Sequence, residues 1–149
     1  MVYIKNQQRK IKVNQRRIER YLKKALRLLT LNQAEVSIVL VNDRRMRSIN
    51  RQFRGIDKTT NVISFPQYNP EEMRNILKFQ PSDRFLLGDI VINLSMIQKE
   101  AVEHGLTFDE ELREMMIHGL LHLIGYDHEK SSYGRRKMQK KELELLSLT

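Results

Sequence analysis

Apolar residues recur every three or four positions in some stretches of the chain, and in others they alternate or run together. The first pattern is typical of helices that dock one face on a core, and the second is typical of strands. The helical pattern predicts helices over about residues 14–29, 42–53, 93–103, 108–123 and 133–146. Short apolar or alternating segments rich in β-branched residues predict strands over residues 2–5, 35–41, 61–66 and 85–92.

Residues 67–84 interrupt this pattern with a polar stretch that contains Pro70 and Pro81. We interpret it as a loop with room for one helical turn near residues 71–77. The predicted order is therefore β-α-β-α-β-β-α-α-α. It indicates an α+β fold, a small mixed β-sheet with helices packed mainly over it.

The length of 149 residues and the 40% apolar content predict a single domain, residues 1–149, with a proper core. The chain has no cysteine, which excludes disulfides and thiolate metal ligands. We find no signal-peptide core and no apolar run of membrane-spanning length, so we expect a cytoplasmic protein without a membrane partner.

The net charge of +9 is concentrated in the N-terminal part of the chain. Residues 1–30 contain ten Lys or Arg and a single acidic residue, Glu19, whereas the remaining residues contain seventeen of each sign. Such asymmetry favours an anionic partner, most simply nucleic acid. A basic helix that is only solvated remains the alternative, because its apolar stripe is ordinary core material: Ile18, Tyr21, Leu22, Ala25, Leu28 and Leu29.

Three of the four histidines fall within residues 118–128. His118 and His122 lie one turn apart on one helix face, and Gly125 can adopt the positive φ that lets the chain fold back and return His128 toward them. Three imidazoles that leave one position open are the ligands of a catalytic zinc site at the end of this helix. The alternative is three unrelated histidines on a helix and the following loop.

The same spacing occurs in the metzincin signature H-E-x-x-H-x-x-G-x-x-H. Here Gly119 stands where the peptidases have their general-base glutamate, which argues against ordinary peptide hydrolysis. Glycine costs a helix about 1 kcal/mol relative to alanine. Gly119 therefore indicates either that another part of the fold packs against the helix backbone or that a substrate approaches it.

Residues 50–66, 87–92 and 118–128 together resemble the bacterial YbeY endoribonuclease family, also called the rRNA maturation factor family. The resemblance implies a zinc-dependent, single-strand-specific endoribonuclease that acts in ribosomal RNA maturation at the small-subunit 3′ end and in ribosome quality control. It implies one zinc per chain with the ligands His118, His122 and His128, and a functional arginine at Arg54. Ribosomal RNA, ribosomal proteins and an Era-type GTPase are the implied partners. Asn61 departs from the pattern, since an aspartate is expected there.

Two other functions remain open: a metal-dependent hydrolase of another substrate, and a non-catalytic, zinc-stabilised assembly factor that binds rRNA. Arg54 suits a phosphodiester because its fork can hold charge on phosphate oxygens, but it could equally be a helix C-terminal cation or form a surface ion pair. Asp127 could orient a ligand imidazole, although a role in a turn is favoured. Phe53, Tyr68 and Tyr133 could stack bases, but core or rim packing is favoured for each. Glu111 and Glu114 could reach toward the face of His118, although solvated helix surface is favoured, and we expect His104 on the surface near a helix end.

Overall fold

The computed structural model describes all residues, Met1–Thr149. Four strands form one sheet: β1 (Val2–Asn6), β2 (Ala34–Val41), β3 (Val62–Pro66) and β4 (Phe85–Asn93). Six helices surround it: α1 (Gln15–Leu28), α2 (Asp43–Arg54), α3 (Pro70–Phe79), α4 (Leu94–His104), α5 (Phe108–Leu123) and α6 (Ser132–Leu148). No helix combines the length and the apolar character needed to cross a lipid bilayer.

The strands lie in the order β1-β2-β4-β3. β1, β2 and β4 are parallel, and β3 runs antiparallel to β4 at the edge of the sheet. Asn61 and Gln67 flank β3, and both are hydrogen-bonded to the backbone on the β4 side. The Asn61 carbonyl accepts the N–H of Asn93 at 2.8 Å, and the N–H of Gln67 donates to the Leu87 carbonyl at 3.1 Å. The alternating residues Val62, Ser64 and Pro66 therefore direct their backbone groups away from β4, at a free edge. This arrangement confirms the predicted α+β class with a small mixed sheet.

Helices cover both faces of the sheet because the strands alternate. Val36, Ile38 and Leu40 of β2 point into the main core, to which α1, α4, α5 and α6 contribute. Val41, on the opposite face, packs in a smaller cluster with Met46 and Ile49 of α2. As a result α2 lies on the other side of the sheet from α5, and both helices end near β3.

The prediction of a loop with one helical turn near residues 71–77 placed the helix correctly but underestimated its extent. Residues Pro70–Phe79 form a helix in which Asn69 and Glu72 make a capping box and Pro70 occupies the first turn. Proline suits that position because the first helical N–H has no intrahelical acceptor. Met73 anchors the helix in the main core.

The core-facing stripe of α1 also differs from the prediction by one residue. Leu26 is buried beside Ala25, whereas Leu28 is exposed. The basic residues of α1 stay on the outer face, as expected.

Candidate metal centre

The three histidines converge at the C-terminal end of α5. The helix starts with a capping box of Thr107 and Glu110. After Ile124 the chain turns at Gly125, whose φ is +102°. His128 then returns to the helix face. A nitrogen of His122 (Nε2) lies 3.1 Å from Nε2 of His118 and 3.1 Å from Nδ1 of His128.

This donor set fits a zinc ion. Zinc–nitrogen bonds of about 2.0–2.1 Å in tetrahedral geometry separate the ligand nitrogens by about 3.3 Å. The observed 3.1 Å spacings are close to that value. No fourth His, Asp or Glu joins the group, so a coordination position is left for solvent or substrate.

Burial keeps the central imidazole neutral. Desolvation lowers the pKa of His122 below its ordinary value, and the neighbouring His118 and His128 lower it further. A neutral imidazole offers the lone pair that a metal ion requires. The environment of His122 therefore favours metal binding over protonation.

The orientation of His118 is fixed from α6. Its Nδ1 donates a 2.6 Å hydrogen bond to a carboxylate oxygen of Glu142, which leaves Nε2 directed at the cluster. Carboxylates commonly hold metal-binding imidazoles in this way. Glu142 was missed by sequence reasoning, because nothing in α6 itself marks the position that faces His118.

Asp127 does not orient a histidine. It accepts the backbone N–H of Glu129 at 2.8 Å, which forms the turn that precedes the last helix. The favoured interpretation, a role in a turn, is confirmed.

At Gly119 the backbone of α5 packs directly against the sheet. A methyl group at this position would come within 2.8 Å of Ile90 Cγ2 and 3.2 Å of Ser64 Oγ. The Ser64 hydroxyl also donates to the Gly119 carbonyl at 2.9 Å. Of the two interpretations of Gly119, close packing is confirmed, and it places the histidine turn directly beside β3.

An open cleft of about 790 Å³ runs between the histidines and β3. Residues 60–66 form one wall, the three histidines with Asp127 and Glu129 form another, and Phe53 and Arg54 enter from the end of α2. The fold thus brings Arg54 and the histidine cluster, which are far apart in the sequence, to the same cleft.

Arg54 has no ion-pair partner. On the same helix, Arg47 binds Asp57 at 3.0 Å and Arg51 lies 4.0 Å from it, whereas Arg54 contacts no carboxylate. The alternative of a surface ion pair for Arg54 is therefore excluded, whereas its position in the last turn of α2 agrees with that of a helix C-terminal cation. Its charge is available to an anion in the cleft.

The basic face of α1 lies elsewhere. Tyr21 donates a hydrogen bond to Asp109 and Arg17 lies 3.6 Å from the same carboxylate, which places α1 at the N-terminal end of α5. That end is about 20 Å along the helix from His122. Sequence reasoning emphasised this basic helix, whereas the arginine that lines the cleft is Arg54 of α2, which was named only through the family resemblance.

Two polar contacts away from the cleft involve Glu111 and Asn61. Glu111, expected on the solvated surface, is fully buried, and both its carboxylate oxygens lie within 3.1 Å of His104 Nδ1. The reversal of direction at Gly105 makes this contact possible, because it returns His104 of α4 to the first turns of α5. Asn61 donates its amide to Glu100 at 3.1 Å, a carboxylate that an aspartate at position 61 would repel.

Fold and site together define a class: an α+β protein in which a helix and its following turn present an open three-histidine centre beside an edge strand. A family model described as Endoribonuclease YbeY matches residues 3–149, and the chain belongs to this family.

Relatives and a solved structure agree with this assignment. The chain is 37% identical to Endoribonuclease YbeY of Syntrophus aciditrophicus over 148 residues, which cover 99% of this chain and 88% of the relative. It is 32% identical to the Endoribonuclease YbeY of Thermodesulfovibrio yellowstonii, over 98% of this chain and 95% of that protein. The solution structure of TM1509 from Thermotoga maritima superposes with a TM-score of 0.67 at 27% identity, covering 99% of this chain and 87% of the other.

Proposed function

We propose that residues 1–149 form a single zinc-dependent endoribonuclease domain that cuts single-stranded RNA. The observation that carries the proposal is the convergence of three mutually close histidine nitrogens and an unpaired arginine on one cleft. Family membership supports the class of reaction. His118, His122 and His128 are the proposed ligands, and Arg54 is the proposed catalytic residue.

His118, His122 and His128 would hold the zinc ion as neutral ligands, and the ion would supply a Lewis acid able to polarise a phosphodiester and acidify water. Residues of the chain orient the metal ligands and stabilise the charge on the substrate. Glu142 holds His118 in the binding orientation. Arg54 holds the negative charge that builds on the non-bridging oxygens during cleavage, through two parallel hydrogen bonds that a lysine does not reproduce.

The shape of the cleft supports a single-stranded substrate. It is bounded by the β3 backbone on one side and the histidine turn on the other, so a flexible strand can bend into it. An A-form duplex keeps its bases stacked and its backbone regular, away from the alignment that in-line cleavage requires.

The family resemblance extends the proposal to the biological substrate. We infer that this substrate is ribosomal RNA, chiefly the 3′ end of the small-subunit RNA, and that the protein contributes to ribosome quality control in the cytoplasm. The basic excess of the chain supports an RNA partner. Ribosomal proteins and an Era-type GTPase are the proposed protein partners.

Replacement of Arg54 tests the proposal most directly. Arg54→Ala should retain zinc and fold, while cleavage of a labelled single-stranded RNA falls roughly 10²-fold, the scale of losing one charge-stabilising donor. Arg54→Lys should recover only part of the activity. Arg44→Ala is the matched control, because Arg44 is an exposed arginine of the same helix that does not line the cleft.

The assay needs untagged protein and a duplex substrate in parallel. Equal cleavage by the wild type and Arg54→Ala, with binding preserved in both, would indicate a contaminating ribonuclease and contradict the nuclease assignment. The chain would then be a zinc-stabilised protein that binds rRNA without cutting it.

A further inference from the structure

Phe53 is an exposed aromatic residue in the cleft. Its side chain belongs to the last turn of α2, and 62% of the residue surface is accessible. The other exposed aromatic residues, Tyr3, Phe79 and Tyr133, do not line the cleft. Phe53 is thus the one place where a large accessible ring faces the proposed reaction site.

The ring is held in place from below. Phe65 of β3 lies edge-to-face with it, with ring centroids 5.4 Å apart and planes inclined by 70°. Phe65 itself packs against the small core cluster between α2 and the sheet. This contact restrains the Phe53 ring, so less conformational freedom is lost when a ligand covers its exposed surface.

A cationic group lies next to this ring. Arg54 follows Phe53 directly, lines the same cleft and has no ion-pair partner. Aromatic rings that stack bases beside cations that contact phosphates are the combination by which proteins bind single-stranded nucleic acid. A neutral aromatic metabolite would not need the adjacent charge, and a peptide would not need the ring and the guanidinium together.

We propose that Phe53 is a stacking platform for a nucleobase adjacent to the phosphodiester that lies at the histidine cluster and Arg54. The proposal rests on the function proposed above and adds a binding subsite to it. Phe53 acts as a positioning residue. It stacks an unpaired base, and so places the neighbouring phosphate between Arg54 and the histidines.

The platform also gives a physical source for single-strand preference. Every base has a face that can stack, so the subsite tolerates sequence. A base within a duplex already stacks on both neighbours and is paired, and it cannot cover Phe53 without leaving the helix. Preference for single strands then arises in binding, before any chemistry.

The sequence offers a clean optical test, because the chain contains no tryptophan. Phe53→Trp places a lone indole in the cleft, and Phe79→Trp places one at an exposed phenylalanine on α3, outside the cleft. A short single-stranded 2′-O-methyl RNA, which resists cleavage, is added to each variant, and its binding is followed separately by anisotropy of a labelled copy. We expect quenching of the indole emission for Phe53→Trp and none for Phe79→Trp, and no quenching with a blunt duplex of the same sequence.

Affinity and kinetics supply the second arm. Phe53→Leu should weaken binding of the single strand roughly 5- to 150-fold, the range for loss of one base stack, and should raise KM more than it lowers kcat. Phe53→Tyr should restore both, since it keeps the ring. A role in packing alone would lower the unfolding temperature of Phe53→Leu and leave affinity unchanged.

The two proposals fail in different ways. Quenching in Phe53→Trp and weakened binding by Phe53→Leu, without any cleavage by the wild type, would support the stacking platform and contradict the nuclease proposal. Normal cleavage by Phe53→Leu, with unchanged affinity and no quenching in Phe53→Trp, would overturn the platform and leave the nuclease intact. If the wild-type chain binds no single-stranded RNA, the platform is overturned as well.

Discussion

The two ends of α5 each contain a histidine–glutamate contact, but the pKa shifts of His104 at one end and His122 at the other have opposite directions. At the N-terminal end, the fully buried carboxylate of Glu111 accepts a hydrogen bond from His104. This hydrogen bond and the negative charge of Glu111 raise the pKa of His104. At the C-terminal end, Glu142 receives His118, which faces His122 and His128. There the pKa of His122 is lowered, first by burial and then by the neighbouring imidazoles.

The difference lies in what surrounds each imidazole. His104 meets carboxylates, since Glu100 and Glu103 add to the effect of Glu111. His122 meets two other imidazoles in a partly desolvated corner. The first environment favours the protonated imidazole, and the second favours the neutral one. The groups that surround each imidazole therefore decide the direction of its pKa shift.

The largest effect should follow from removal of the central imidazole. Untagged wild-type protein is expected to hold about one zinc per chain, and His122→Ala to lose most of it, because His122 contacts both other ligands. Elemental analysis after dialysis measures this. His104→Ala, the same change at the other end of α5, is the matched control and should keep its zinc. Equal zinc in His122→Ala and the wild type would rule out the proposed ligand set.

A smaller effect should follow from the loss of the carboxylate that supports His118. Glu142→Ala is expected to weaken zinc binding about 10- to 100-fold, the usual scale for such outer partners. Competition with a chelator of known affinity gives the value. Glu144→Ala serves as control, because Glu144 lies on the same helix, is exposed and binds only Lys141 through its side chain. If both variants bind zinc as the wild type does, Glu142 merely helps to dock α6.

Much of the fold could be predicted because the local signals agree with the tertiary structure. Each of the predicted strands forms, and Asn14, Asn42, Asn93 and Thr107 begin helices. The extent of the helix Pro70–Phe79 was underestimated because Pro70 and Pro81 outweighed the capping signal of Asn69 and Glu72. Strand order and the position of α2 on the opposite sheet face depend on long-range packing, and no local pattern encodes them.

The site was predictable to the extent that it is local. His118, His122 and His128 lie within one helix end and one turn, so their spacing alone indicated that they converge. Phe53 and Arg54 reach the cleft from α2, and Glu142 reaches His118 from α6. Their local sequence does not show these contacts, and Arg54 was named only through the family resemblance. Glu111 looked like solvated helix surface because its partner, His104, belongs to the preceding helix.

The smallest effect should be on the free energy of unfolding, through the His104–Glu111 pair. A histidine with a raised folded-state pKa contributes stability that is fully present below its unfolded pKa, about 6.5, and is lost as the pH rises through the folded value. The difference in free energy of unfolding between the wild type and His104→Gln should therefore be largest below about pH 6.5 and shrink above it. Urea unfolding between about pH 5.5 and pH 9 keeps most carboxylates ionised and measures this difference.

Glu111→Gln should abolish the pH dependence of the difference, since the raised pKa of His104 depends chiefly on that carboxylate. Because His104 is about half exposed, solvent screens the pair and the effect stays modest. A difference that does not change with pH would mean that His104 contributes packing and a neutral hydrogen bond, and that the two ends of α5 differ less than their geometry indicates.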